Sequence, residues 1–303
     1  RDWGVTGVQT CALPILGGYF AEAQGFDKDI SLAIREHYLP TGPDSKIPKK
    51  PFSIALALSD KLDTLVGFFG INQKPTSSKD PFALRRLALG LIRLSIENNK
   101  EFKIRDLINY TLQLYQEQGF EFNNKSVQKD LAEFLTDRLK YYMKEKDVRI
   151  DIIDASLKSF GINQITKIYK KSFVFNKLIN KEIGMNIISS YKRAFNILEN
   201  ELKNKELELS INTDPALFKN DYEKKLYKKI HELRKYFTSI NKDEDYELTL
   251  KNLAESKQVI FDFFDNVKVN DEDKTIQKNR LELIQMLCKT FDNYINFSII
   301  EGV

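Results

Sequence analysis

The chain has 303 residues, 42% hydrophobic and 30% charged, which is too apolar for an intrinsically disordered protein and long enough for about two domains. Its 47 basic and 43 acidic residues give a net charge of +4, which permits a polyanionic partner without requiring one. Two cysteines exclude a disulfide framework and a thiolate metal cluster, and no apolar run approaches the roughly 20 residues of a membrane span. We expect a cytoplasmic protein without membrane contact.

Residues 1–15 differ in character from everything that follows. They contain the only tryptophan and no lysine, and the stretch from Val5 to Ile15 reads like the translation of a common sequencing adaptor. We expect a non-native, adaptor-like leader. In that case the natural sequence starts near Leu16 of this chain, and the portion that precedes it in the natural protein is missing. The alternative is a genuine disordered extension, and neither interpretation gives the segment a role.

Apolar residues recur with helical spacing along the rest of the chain, and strand patterns are nearly absent, which predicts an all-α protein. In residues 16–147 a short helix is expected to end at His37, whose imidazole can cap the last carbonyls. A very apolar helix is predicted over 54–69. Asp80 and Pro81 are expected to begin the next helix as N-cap and first residue. Two more helices complete this region.

Residues 148–303 show the same helical spacing, with buried positions alternately three and four apart, as in a helical bundle. Asp214 and Pro215 are again expected to cap and begin a helix. The predicted helices include, in chain order, 152–160, a long helix containing 187–202, 218–237, 250–264 and 281–295.

The motifs of common enzyme classes are missing from the sequence. It contains no phosphate-binding P-loop, no dinucleotide-binding glycine turn and no nucleophile elbow. The only histidines are His37 and His231, fewer than the usual histidine-based metal cluster needs in one place. His231 has helical spacing with Lys224, Lys228 and Lys235, and we interpret this face as solvated.

Three charged residues interrupt the apolar helix over 54–69. They are Asp60, Lys61 and Asp63, and a buried charge is costly without a partner. A metal ion could compensate the two carboxylates, and so could a salt-bridge network with Arg85, Arg86 or Lys61. We favour the network, because the sequence supplies too few plausible metal ligands.

Nine segments of the chain, which span nearly everything after residue 15, carry a resemblance to a known family. They are 17–25, 33–40, 58–69, 79–93, 134–139, 151–155, 191–198, 263–269 and 278–284. The block KDPFALRRLALGLIR at 79–93 is long and unusual, so chance similarity is improbable. The segments resemble, and are collinear with, the C-terminal portion of the beta subunit of bacterial two-subunit glycyl-tRNA synthetases.

The resemblance implies two helical modules. Residues 16–147 are similar to the family's helical domain related to HD phosphohydrolases, and residues 148–303 to its helical-bundle anticodon-binding domain. Active HD enzymes hold metal with a His-Asp pair, whereas this chain has Ser59 and Asp60 at that position. Serine is a poor divalent-metal ligand beside histidine, so a degenerate HD position, no metal and no catalytic residue are expected here.

The resemblance also implies a function and a division of labour. The beta subunit would grip tRNA(Gly), while the alpha subunit activates glycine with ATP and magnesium, so no cofactor is expected in this chain. A helical surface that contacts RNA should present cationic and amide side chains. For each candidate a solvated or ion-paired role is an equally good interpretation. The candidates are Lys79, Arg85, Arg86, Lys192, Arg193, Asn196, Lys278, Asn279 and Arg280.

Two other functions remain open from the sequence. A metal-dependent phosphohydrolase of the HD type would require a metal site at Ser59 and Asp60. A purely structural helical module would hold another subunit and would bind no tRNA.

Overall fold

The structure is a computed structural model that describes residues 6–203, 209–210, 213–239 and 245–301. Every regular element in these ranges is helical, which confirms the prediction of an all-α protein. Residues 1–5 of the predicted leader lie outside the described residues. None of the helices within the described ranges is both long and apolar enough to cross a bilayer.

The chain divides into two compact units. Unit 1 contains the described residues up to Lys146 and the segment Gly161–Tyr169, and unit 2 contains Asp147–Phe160 and the described residues from Lys170 onward. The predicted domain boundary between residues 147 and 148 stays a prediction.

The segment 161–169 belongs to unit 1 because specific hydrogen bonds fasten it there. The Thr166 hydroxyl donates to the carbonyl of Lys100 at 2.9 Å, and the Arg105 amide donates to the Asn163 side chain at 2.9 Å. These contacts join residues more than 55 positions apart. The spacing of residues in the sequence does not predict these long-range hydrogen bonds.

Unit 1 is organised around one long apolar helix, which packs against four of its neighbours. The first helix begins inside the predicted leader, and the non-native origin of that segment stays a prediction. The helices of unit 1 are α1 (Thr6–Ala23), α2 (Lys28–Glu36), α3 (Pro51–Gly70), α4 (Leu84–Glu97), α5 (Ile104–Glu117) and α6 (Asn124–Lys144). The central helix is α3, whose predicted extent, 54–69, is confirmed.

The start of α4 differs from the prediction. The helix begins at Leu84, not at Pro81, and Ala83 before it has a left-handed backbone with φ of 53°. The Asp80 carboxylate still accepts the amides of Leu84 and Arg85, at 2.8 and 3.0 Å. Asp80 thus caps the helix from outside, across an intervening turn.

Unit 2 surrounds the last long helix, in which thirteen of eighteen residues are buried. Helix α8 begins in unit 1 and ends in unit 2. The helices after unit 1 are α7 (Ile150–Phe160), α8 (Ile165–Leu178), α9 (Glu182–Lys203), α10 (Asp221–Ser239), α11 (Tyr246–Ala254), α12 (Lys257–Asn266) and α13 (Lys274–Phe291). Helix α13 packs against α9 and α10, and α12 contacts both of these helices as well.

Three predicted boundaries in unit 2 are wrong. The helix predicted over 281–295 ends at Phe291. The single helix over 250–264 is two helices, since α11 ends at Ala254 and α12 begins at Lys257. Asp214 and Pro215 begin only a short 3₁₀ turn, and α10 begins at Asp221. Its start is fixed by a capping box that the sequence analysis missed. The Asn220 side chain accepts the Glu223 amide, and the Glu223 carboxylate accepts the Asn220 amide, at 3.1 and 3.0 Å.

Candidate nucleic-acid interface

The residues that were predicted to form a degenerate HD position, Ser59 and Asp60, lie on α3 at the edge of the unit 1 core. Ser59 is exposed and Asp60 is half-buried. Burial raises the pKa of Asp60, and the nearby charges of Lys61 and His37 oppose that rise. Within the described residues, no group of three or more His, Cys, Asp or Glu side chains is arranged to hold a metal ion.

The buried charge on α3 is Lys61 and not an aspartate. Its ammonium is fully buried and donates to the carbonyls of His37 and Tyr38 at 3.0 and 3.4 Å. Burial lowers the pKa of Lys61 to about 8. The predicted cap by His37 is confirmed, because its Nδ1 lies 2.6 Å from the carbonyl oxygen of Ile34 near the end of α2.

The predicted salt-bridge network around Asp60 and Asp63 does not form. In the described part of the chain neither carboxylate has a cationic partner within the 4.0 Å limit of a salt bridge. Arg85 instead lies 3.9 Å from Asp80 and donates to the carbonyl of Thr76. Arg85 lies near Asp80 because the Asp80 carboxylate accepts the backbone amide of Arg85 at the start of α4.

Arg85 and Arg86 line a small cavity of unit 1, of about 200 Å³. A third arginine, Arg138, reaches it from α6. Lys79 is exposed and is not among the lining residues. The lining residues are Gly42, Pro43, Arg85, Arg86, Leu89, Arg138 and Tyr141.

A wider groove of unit 1 lies between α5 and α6, with a volume of about 510 Å³. Its cationic lining residues are Arg105, Lys125 and Lys129, and one carboxylate, Glu133, lies among them. Sequence analysis did not single out these residues, because their spacing is that of ordinary solvated helix faces.

In unit 2 the predicted RNA-binding residues of α9 are Lys192, Arg193 and Asn196, and they differ in their surroundings. Asn196 is exposed and Lys192 is half-buried. Arg193 pairs with Asp265 at 2.6 Å, and its guanidinium lies 4.9 Å from the ring centre of Phe261 on α12. The Arg193 side chain therefore connects two helices.

The predicted cluster at the start of α13 needs a correction. Lys278 is exposed, but Asn279 and Arg280 are buried. Arg280 pairs with Glu223 at 2.6 Å and with Asp271 at 2.7 Å. The Asn279 amide group binds the backbone on both sides of residue 214, accepting its N–H and donating to its carbonyl. Both side chains serve packing within unit 2 and present no surface to RNA.

Helix α10 presents several exposed cations in unit 2, and the sequence analysis had interpreted its lysine face as solvated. We call the exposed basic residues Lys224, Lys225, Lys228, Arg234 and Lys235 the α10 basic face. Exposed acids on this helix are Asp221, which lies 3.3 Å from Lys224, and Glu232, so the face keeps a positive excess through its other basic residues.

Aromatic rings lie beside this face. His231 is exposed with its ring centre 4.3 Å from that of Tyr227, and Phe218 packs 5.4 Å from Tyr227. Cationic side chains next to partly exposed rings are the combination that contacts phosphates and unstacked bases. The four-residue spacing of Tyr227 and His231 was the sequence signal for this pairing.

Comparisons with known proteins bear on what these surfaces contact. Residues 14–158 match the family model described as glycyl-tRNA synthetase beta subunit, and residues 187–300 match the model of the DALR anticodon binding domain. The chain is thus similar to glycyl-tRNA synthetase beta subunits in its first half and to an anticodon binding domain in its second half. The α10 basic face lies in the part that matches the anticodon binding domain, and the three-arginine cavity lies in the part that matches the beta subunit model.

Individual relatives have the same printed name. The chain is 33% identical to the glycine–tRNA ligase beta subunit of Cereibacter sphaeroides over 95% of its own length and 41% of the relative's. It is 36% identical to the beta subunit of Rickettsia conorii over 94% of its own length and 40% of the relative's. The chain thus spans about two fifths of the length of the curated relatives it matches.

Proposed function

We propose that the chain is the tRNA-binding portion of a glycine–tRNA ligase beta subunit, and that it supports the ATP-dependent charging of tRNA(Gly) in the cytoplasm. The observation that carries the proposal is the match of residues 187–300 to an anticodon binding domain, because that region contains the α10 basic face. Exposed lysines beside partly exposed rings provide phosphate contact and base stacking together.

Glycine activation, with its ATP and magnesium, takes place in this proposal on the alpha subunit. The name of the relatives supports the assignment to a ligase, since each is called a glycine–tRNA ligase beta subunit. The residues at Ser59 and Asp60 give no support to a phosphohydrolase, because serine replaces the histidine of the metal-holding pair. We expect the chain to bind tRNA(Gly) and the alpha subunit and to contribute no reacting group.

The direct test is a filter-binding titration of the 303-residue chain with tRNA(Gly), at several salt concentrations. The observed association constant should fall with salt with a log–log slope of several units, since each phosphate contact contributes roughly 0.7 to 0.9. A tRNA for another amino acid and heparin serve as competitors. Equal, weak binding of all three polyanions would contradict specific recognition of tRNA.

A second measurement tests the division of labour. Glycine-dependent ATP–pyrophosphate exchange should be absent with the chain alone and present with the alpha subunit alone or in mixture. Exchange catalysed by the chain itself would show that it carries chemistry of its own.

A further inference from the structure

The outer face of the first half of α3 is apolar and exposed to solvent. Phe52, Ala55, Leu56 and Ser59 lie at the i, i+3, i+4 and i+7 spacing of one helix face, and all four are exposed. Phe52 is 61% exposed and Leu56 is 39% exposed. We call these four residues the α3 stripe. A helix that is apolar on nearly all sides is ordinarily buried on all sides, whereas the described part of the chain leaves this face of α3 uncovered.

The same face is covered in the second half of α3. Gly67 and Gly70 continue it at helical spacing, and both pack against aromatic side chains from the end of α5 and the segment after it. A Cβ atom on Gly67 would overlap the hydroxyl of Tyr115, and one on Gly70 would overlap the ring of Phe122. The Tyr115 hydroxyl also donates to the carbonyl of Asp63 at 3.1 Å. The aromatic cover therefore ends near Asp63, where the α3 stripe begins to be exposed.

Two carboxylates follow the α3 stripe along the helix. Asp60 is half-buried and Asp63 is exposed. Within the described ranges no cationic group comes within salt-bridge distance of either carboxylate. These charges would repel the phosphates of an RNA strand. A protein helix that presents Lys or Arg next to its apolar residues would compensate them, because opposite charges across an interface favour the correct partner.

The α3 stripe is too small for a stable contact between separate chains. Its two large side chains, Phe52 and Leu56, together expose on the order of 200 Å², since a whole aromatic side chain offers about 150–250 Å². A stable interface between two proteins buries roughly 800 Å² on each partner. A segment of the same polypeptide needs less area, because the covalent link removes most of the loss of translational and rotational freedom on binding.

The curated relatives have such additional polypeptide, because about three fifths of the length of each lies outside the part that this chain matches. We propose that the α3 stripe packs against an amphipathic helix from that remaining part of the beta subunit, with a Lys or Arg of this helix beside Asp60 and Asp63. The inference rests on the proposed function, because it takes the chain as a portion of a longer beta subunit. It adds to that function a docking surface within the subunit.

The test uses the full-length beta subunit, mixed with the alpha subunit and tRNA(Gly), with the photo-crosslinking amino acid p-benzoylphenylalanine in place of Leu56. Illumination should join this position to a segment of the same polypeptide outside the part that this chain spans. The product should keep the mobility of a single beta subunit on a denaturing gel, and mass spectrometry of its digest identifies the joined segment. The same amino acid in place of Lys144, which is exposed on α6, is the matched control and should not be joined to that segment.

A second measurement compares the accessibility of the α3 stripe in two proteins, the isolated 303-residue chain and the full-length subunit. The thiol of Leu56→Cys should react with a maleimide reagent at least about tenfold more slowly in the full-length subunit, because the docked helix covers it there. Lys144→Cys is the control and should react at similar rates in both proteins. Leu56 and Lys144 are exposed in the chain, so both variants keep its core, and circular dichroism verifies their folding.

Each outcome has a distinct meaning. A crosslink from position 56 to the alpha subunit, to a second beta subunit, to tRNA or only to residues of this chain would overturn the proposed occupant. Equal reactivity of Leu56→Cys in both proteins, without a crosslink, would overturn the docking surface. If the full-length subunit binds tRNA(Gly) in either case, the proposed function stands. If the expected crosslink forms but tRNA(Gly) is not bound, the docking surface stands and the proposed function fails.

Discussion

Buried charged residues in unit 2 form ion pairs with residues that are far away in sequence. Arg280 and Glu223 lie 57 positions apart, and their side chains are 5% and 1% exposed. Glu223 also accepts the amides of Lys219 and Asn220 at the start of α10, at 2.7 and 3.0 Å. One carboxylate therefore joins the beginning of α10 to α13.

Replacing Arg280 by methionine should destabilise the chain by about 3–5 kcal/mol, because the Glu223 carboxylate would remain buried without its cation. Urea unfolding followed by circular dichroism measures the change. The neighbouring exposed residue gives the control, since Lys278→Met should change the free energy of unfolding by less than about 0.5 kcal/mol. Equal effects of the two substitutions would contradict the buried pair.

Asp292 supplies a pH dependence of stability. Burial raises its pKa to about 6, although the Phe297 amide and the Tyr191 hydroxyl donate to it and lower the pKa. The folded state therefore holds this proton more tightly than the unfolded state. The resulting stability is fully present below the unfolded pKa of about 4 and is lost as the pH rises through 6.

Asp292→Asn should remove this dependence. The free energy of unfolding of the parent, relative to that of the variant, should fall by about 2 kcal/mol between pH 4 and pH 7. Urea unfolding of both proteins across that range gives the difference, in which other titrating groups cancel. Parallel curves for the two proteins would show that Asp292 titrates alike in the folded and unfolded chain.

The turn between α8 and α9 depends on a glycine. A Cβ atom on Gly184 would lie 2.4 Å from the Cα of Ile179 and 2.4 Å from the carbonyl oxygen of Leu178. Both contacts are with backbone, which cannot move aside as the end of a side chain can. Gly184 thus permits the close approach of one helix to the end of the preceding one.

Gly184→Ala is expected to lower the free energy of unfolding by about 2–4 kcal/mol through this overlap. A second glycine gives the matched control, because a Cβ on Gly42 would meet no atom within 4 Å. Gly42→Ala should stay within about 1 kcal/mol of the parent. Chemical denaturation of the two variants side by side decides the point, and an unaffected Gly184→Ala chain would refute the overlap.

Helix interiors were predictable from the sequence, whereas several boundaries were not. Leu226, Ile230 and Leu233 are buried as their spacing predicts, because helical periodicity is a local property. The start of α4 depends on a turn around Ala83, and the break at Ser256 depends on burial of its hydroxyl, which donates to the Leu253 carbonyl. Such features are set by tertiary contacts, so local patterns do not reveal them.

The candidate interface was predictable only in part, for the same reason. Arg85 and Arg86 line a cavity, but the third arginine of that cavity, Arg138, comes from another helix and has no sequence link to them. Arg280 has the sequence context of a surface residue and is buried because Glu223 lies opposite. Whether a cationic side chain is exposed depends on the residues that the fold places next to it. The spacing of residues along one helix does not reveal those neighbours.

At the scale of the whole molecule, the net charge of +4 is small, and the distribution of charge decides how a polyanion binds. Several exposed lysines are already paired with carboxylates one helical turn away. Lys203 lies 3.3 Å from Glu199, and Lys251 lies 3.0 Å from Glu247. The α10 basic face has a positive excess, so it should bind phosphate more strongly than surfaces that are neutral on average.

Two double variants with the same loss of charge separate placement from net charge. Lys228→Gln with Lys235→Gln should weaken binding of tRNA(Gly) at least tenfold and lower the salt slope by roughly 1.5, because two phosphate contacts are lost. Lys203→Gln with Lys251→Gln should leave the slope unchanged, since those cations are held by Glu199 and Glu247. Filter binding at four salt concentrations measures both quantities. Equal salt slopes for the two double variants would mean that tRNA binding depends on the net charge of the chain alone, and α10 would then have no special role.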